Sequence, residues 1–262
     1  MKRAFTDIPE GQMHYRFEGN GEPVLLLHSA VASSDEFTNV LPFMSKQYWA
    51  IAPDFLGNGD SDPPPHAYSV LEHARSMISF MDSLGIKQAN LVGEHIGGKV
   101  ALEMAVYWPK RVSKLVLCSI GYYAEGSNTI IDPPGCRDPV EIKADGSHLM
   151  EWWRRSAIWG HPPALLEDRV IEYAKAGPRG EEIHWAGREY DPRPRLPLIK
   201  CPTLVFSATH DPFYKLQESI HKLVPKSELT IIENGPTDIN RAWPKVFAEA
   251  ILNYLNKSVS MK

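Results

Sequence analysis

Between a strand expected at Asn90–Gly93 and a helix expected over Gly98–Tyr107 stands a histidine with a glycine two residues away on each side, Gly93-Glu94-His95-Ile96-Gly97. A chain that turns sharply from strand into helix needs small residues flanking the turn, because side chains there would block helix–strand packing. Such a turn presents its apex side chain at the helix N-terminus. An imidazole in that place, with an ordinary pKa near 6.5, suits general acid or general base work at neutral pH. Nucleophilic attack through an acyl-imidazole ranks lower. The backbone N–H of Ile96 can stabilise a developing oxyanion. Glu94 either points into the sheet or reaches the pocket.

These groups need elements to hold them. Short apolar runs at Pro23–His28, Trp49–Pro53, Lys114–Ser119, Thr203–Ser207 and Leu229–Glu233 read as further buried strands alternating with helices. That alternation predicts an α/β fold, a mostly parallel sheet flanked by helices. Gln12–Glu18 alternates polar and apolar residues like an edge strand. Ser69–Leu84 carries Val70, Ala74, Met77, Ile78, Met81 and Leu84 at helical spacing, with Gly85 placed to end the helix. Trp243–Leu255 is another helix, with Pro244 in its first turn. The stretch 121–196 differs, with Pro-Pro and Pro-Gly punctuation and Trp152, Trp153, Trp159, Trp185 and Tyr190. It is expected to be a helical lid inserted between core segments 1–120 and 197–262. His148 and Trp152 are expected to line the pocket beneath it.

The segment 91–98 resembles the nucleophile elbow, G-x-S-x-G, of the α/β-hydrolase superfamily. Four further segments resemble that family in the right order. They are Leu26-Leu27-His28-Ser29, the loop Asp54–Asp62, Pro202–Phe206 with His210-Asp211-Pro212, and Ile231–Gly235 followed by Pro244. The resemblance implies an oxyanion loop starting at Ser29-Ala30, a supporting role for His28, and Asp211 as the triad acid. It also implies departures. The elbow carries His95 in place of serine, and Thr237-Asp238 stand where the family has its triad histidine. An acyl-serine relay at the elbow is therefore excluded.

Asp211 or Asp238 would instead orient the His95 ring, with Thr237 and Ser29 offering hydroxyls. The expected activity is hydrolysis of an ester, thioester or lactone, or C–C cleavage or elimination, on a small, fairly apolar molecule. A catalytically inactive, ligand-binding protein is the alternative. The strained turn costs about 1–3 kcal/mol, and a histidine in a dry pocket is expensive unless hydrogen-bonded. Both favour catalysis. A conventional esterase using Ser29 or Ser207 ranks lowest, since neither sits at an elbow beside a base.

Composition narrows the rest. The 262 residues are 43% hydrophobic and 23% charged, with net charge −4 and no Lys/Arg run. That argues against nucleic acid and anionic membranes as partners. No apolar signal segment follows Met1, and runs such as Val24–Leu27 are too short to span a bilayer. Three widely spaced cysteines, Cys118, Cys136 and Cys201, suit a reducing cytoplasm. No metal-ligand cluster, nucleotide loop or flavin signature is evident, so no cofactor is expected. The expected partner is a small-molecule substrate, and a homodimer is compatible with the sequence.

Overall fold

The apolar runs become the middle of one sheet. In the computed structural model, which describes residues 1–122, 140–158 and 161–257, the chain begins with β1 (Lys2–Ile8), β2 (Gly11–Glu18) and β3 (Pro23–Leu27). A short helix, α1 (Leu41–Met44), leads to β4 (Trp49–Pro53). Then α2 (Val70–Ser83), β5 (Ala89–Glu94), α3 (Ile96–Tyr107) and β6 (Val112–Cys118) alternate. Three helices follow without a strand among the described residues: α4 (Ser147–Ala157), α5 (Pro163–Ala176) and α6 (Glu182–Glu189). The core resumes with β7 (Thr203–Ala208), α7 (Gln217–Leu223), β8 (Ser227–Ile232), α8 (Ile239–Ala242) and α9 (Pro244–Leu255).

The strand order is β1-β2-β4-β3-β5-β6-β7-β8. From β4 onward every neighbour is parallel, while β2 runs antiparallel to both β1 and β4. Gln12–Glu18 is therefore the second strand and not the edge expected from its alternation. β1 lies outside it, paired from Lys2 with Phe17 to Ile8 with Gly11. Its charged, largely exposed residues gave it no apolar signal.

Strand geometry sends successive side chains to opposite faces. In β3, Leu25 and Leu27 join a core with Ala74 and Met77 of α2 and Val100 of α3. Val24 and Leu26 join the other core, with Phe247 and Ile251 of α9. Both faces are thus covered, as a parallel sheet requires. Helix α2 starts on a capping box in which Ser69 and Glu72 bond each other's backbone N–H. Helix α3 begins at Ile96, two residues earlier than the glycines suggest, directly after His95. Cys136 and Trp159 lie outside the described residues.

Candidate active site

Strand β5 hands over to α3 through His95, whose backbone sits at φ 46° and ψ −109°. The flanking glycines are obligatory. A Cβ on Gly93 would lie 2.3 Å from the Gly97 carbonyl oxygen, and one on Gly97 would lie 2.2 Å from that of Leu27. The His95 N–H donates to the Cys118 carbonyl on β6 (2.9 Å), pinning the apex to the neighbouring strand.

The ring meets Asp211, which follows β7: Nε2 donates to Oδ2 at 2.9 Å. Asp211 is fixed in turn by the Phe213 N–H on its Oδ1 (2.8 Å), and the Phe213 ring stands edge-on to His95 at 5.5 Å. Glu94 is fully buried, with Oε1 3.8 Å from His95 Nε2. Burial alone would lower the imidazole pKa. The Asp211 carboxylate beside it, then Glu94 and Asp238, overcome burial and carry it up to about 10. His95 is therefore an imidazolium at neutral pH. Burial drives the Glu94 carboxyl the other way, well above the usual carboxylate range.

His95 opens on a cavity of about 140 Å³, whose wall also includes Ser29, Ala30, Ile96, Thr237 and Asp238. Ser29 is not free to attack. Its N–H and hydroxyl both donate to Glu36 Oε2, at 3.0 and 2.8 Å, while Glu36 Oε1 accepts from Asn240 (2.6 Å). Ser207 is further away in role, its hydroxyl paired with that of Ser119 at 2.9 Å in the core. His28 is structural: Nδ1 donates to the Ser29 carbonyl and Nε2 accepts the Phe55 N–H. Asp211, not Asp238, is the carboxylate that touches His95.

His148 and Trp152 do not line the cavity. Trp152 stacks on Tyr173, with centroids 5.6 Å apart and planes 14° apart, and Tyr173 forms the wall. His148 packs edge-on against Trp152, at 5.3 Å and one turn earlier on α4. Both therefore sit one layer behind the wall.

Among the wall residues that the sequence did not single out, three bear most on the chemistry: His161, Arg169 and Lys99. His161 reaches the cavity from just before α5, its side chain 5% exposed and Nε2 3.4 Å from Asp238 Oδ2. Its Nδ1 is buried without a hydrogen-bond partner among the described residues. Burial lowers its pKa despite Asp238, so it is neutral where His95 is charged. Burial alone would raise the Asp238 carboxyl, but Arg169 and then His161 hold it below its usual value. Arg169, on α5, donates to the Ala30 and Val31 carbonyls at 3.5 and 3.3 Å. Lys99, one turn after His95 on α3, is only 4% exposed. It offers the one legible signal of the three, a lysine in the otherwise apolar run Gly98–Leu102. His161 has none, because its partner Asp238 is distant in sequence.

Two groupings have the spacing of a cation site, Glu94–His95–Asp211 and His14–Asp54–Asp60. In the first, His95 Nε2 already serves Asp211. In the second, Asp54 accepts from His14, Ser34 and Asp60. Both groupings carry hydrogen bonds of their own, while Glu94 Oε2 in the first is buried without a partner among the described residues.

Residues 22–156 match the family model of the alpha/beta hydrolase fold. A 2-hydroxy-6-oxo-6-phenylhexa-2,4-dienoate hydrolase of Comamonas testosteroni is 35% identical over 125 residues, 46% of this chain and 44% of that protein. An enzyme of the same name from Burkholderia cepacia is 28% identical over 228 residues, 81% of this chain and 79% of that protein. The chain spans about a third of the length of three uncharacterised mycobacterial relatives that it matches at 34% identity. The enol-lactonase of Burkholderia xenovorans shares the fold, with a TM-score of 0.80 at 20% identity over 97% of this chain and 100% of that one.

Proposed function

Since the chain belongs to the alpha/beta hydrolase family and has hydrolases among its relatives, we propose that it hydrolyses a small carbonyl compound by acid–base catalysis without an acyl-serine intermediate. The observation that carries this reading is the 2.9 Å hydrogen bond from His95 Nε2 to Asp211. It keeps the ring charged and leaves Nδ1 for a ligand. An imidazolium is neither a base nor a nucleophile, so His95 serves as the acid. Nδ1–H donates to the carbonyl oxygen of an ester, thioester or lactone as negative charge develops there. The Ile96 N–H, unpaired within its helix as every first-turn N–H is, adds a second donor.

The base is His161. Two histidines whose surroundings push their pKa values apart divide acid from base work. Neutral His161 takes a proton from water, whose oxygen bonds to the carbonyl carbon, and Asp238 stabilises the resulting imidazolium. As the intermediate collapses, His161 returns that proton to the departing oxygen or sulfur. Where the departing group is an enolate carbon, the same transfers accomplish C–C cleavage. A cavity of about 140 Å³ is close to the roughly 150 Å³ that accommodates benzene, which suits a substrate with a short acyl part.

The test is His95→Gln, assayed with p-nitrophenyl acetate and a panel of small lactones. Turnover should fall at least 100-fold, the usual span of a lost general acid, with the melting temperature still above the assay temperature. An active variant would remove His95 from the chemistry. Ligand stabilisation of the wild type with no product from any carbonyl class would instead support a receptor.

A further inference from the structure

Lys99 is a buried amine that makes no ion pair among the described residues. Its Nζ donates to the Gly187 carbonyl at 2.5 Å. Its other donors have no partner among the described residues, and no carboxylate lies within 4 Å of it there. The buried cations nearby are treated differently. Arg241 pairs with Glu172 at 2.5 Å, and Arg169 lies 3.4 Å from the same carboxylate. An ammonium held out of water without an anion is costly, yet this one lines the cavity that His95 opens on.

We propose that Lys99 is the anchor for a carboxylate carried by the substrate, so that this enzyme takes an anionic carbonyl compound, a keto acid, acid-ester or lactone acid. The proposal rests on the cavity being the substrate site of the preceding reading. Geometry sets the length of the molecule. Lys99 follows His95 by four residues on one helix, a rise of about 6 Å. That separation fits a carboxylate and a reacting carbonyl joined by a short carbon chain. The wall around Lys99 is cationic as well. Helix α6 contributes Arg188, and the turn before α3 contributes His95. The substrate so proposed has a charged end in addition to the fairly apolar body expected from the sequence.

The same feature predicts a pH signature. Burial pulls the Lys99 pKa down to about 7; Asp191, just beyond α6, favours the ammonium and Arg188 opposes it. A carboxylate can bind only the charged form, so binding takes up a proton at and above neutrality.

Calorimetric titration of the full chain with benzoate and with its neutral analogue benzamide, at pH 6, 7, 8 and 9, tests this. The wild type should prefer benzoate at least tenfold at pH 6, with benzoate affinity falling nearly tenfold per pH unit above 7. Lys99→Met should lose the preference and keep benzamide binding. Lys99→Arg should keep the preference and flatten the pH dependence, an outcome readable even if the methionine variant does not fold. Equal benzoate binding by wild type and K99M, or a wild type indifferent to charge and pH, would overturn the anchor. The His95→Gln variant separates the two readings. Benzoate binding that survives K99M, beside turnover lost in H95Q, sinks the anchor alone. Lys99-dependent binding beside an active H95Q sinks the acid role alone.

Discussion

A histidine that gives one ring nitrogen to a buried carboxylate has its protonation state chosen for it. His95 carries no such information in its own identity. Asp211, 116 residues later, supplies it. Asp211→Asn removes the charge that outweighs burial, so the imidazole should become neutral near pH 7 and the acid form should be lost. We expect the alkaline limb of the kcat profile to move down by more than one pH unit, read directly by steady-state kinetics. The pair also marks stability. The folded pKa of about 10 lies above the unfolded value near 6.5. The proton's contribution is therefore complete below pH 6.5 and is lost as pH rises toward 10. Urea midpoints at pH 6 and pH 9.5 should diverge more in the wild type than in D211N. Both members of the pair were legible in the sequence, His95 from its glycines and Asp211 from its place after a late strand. His161 was not, because its meeting with Asp238 is made by chain folding across the sheet edge, and no local period records it.

Elements position these side chains by close approach of backbones. Gly97 lies so near β3 that an added methyl would sit 2.2 Å from a backbone oxygen, which no rotamer change relieves. Gly97→Ala should cost about 3 kcal/mol, at the upper end for overpacking, measured by chemical denaturation. It should also depress turnover by shifting the elbow. The cap of α2 offers a contrast. Ser69→Ala removes a capping box and should cost about 1 kcal/mol with kcat unchanged, because no residue of α2 lines the cavity. Buried strands and capped helices were read correctly from apolar runs and punctuation. β1 was missed for the opposite reason: an exposed edge strand is held by its hydrogen-bond ladder to β2, and a ladder leaves no pattern of side-chain types.

At the scale of the molecule, backbone strain gathers where the strands end. Val31, His95, Ser119 and Asp238 all have φ between 45° and 47°, and they follow β3, β5, β6 and β8. Each such residue costs on the order of 1–3 kcal/mol, so the surroundings must hold them firmly. Much of that hold comes from α5. Arg169 on α5 grips the Ala30 and Val31 carbonyls, and Glu172 on the same helix grips Arg241 of α8. The loop that would polarise a substrate and helix α5 are thus linked at one guanidinium. In amide hydrogen exchange, the segments 29–34 and 163–176 should behave as one cooperative unit with a single opening free energy. Arg169→Met should accelerate deuterium uptake in both by the same factor, whereas uptake rising in only one would show that they breathe independently.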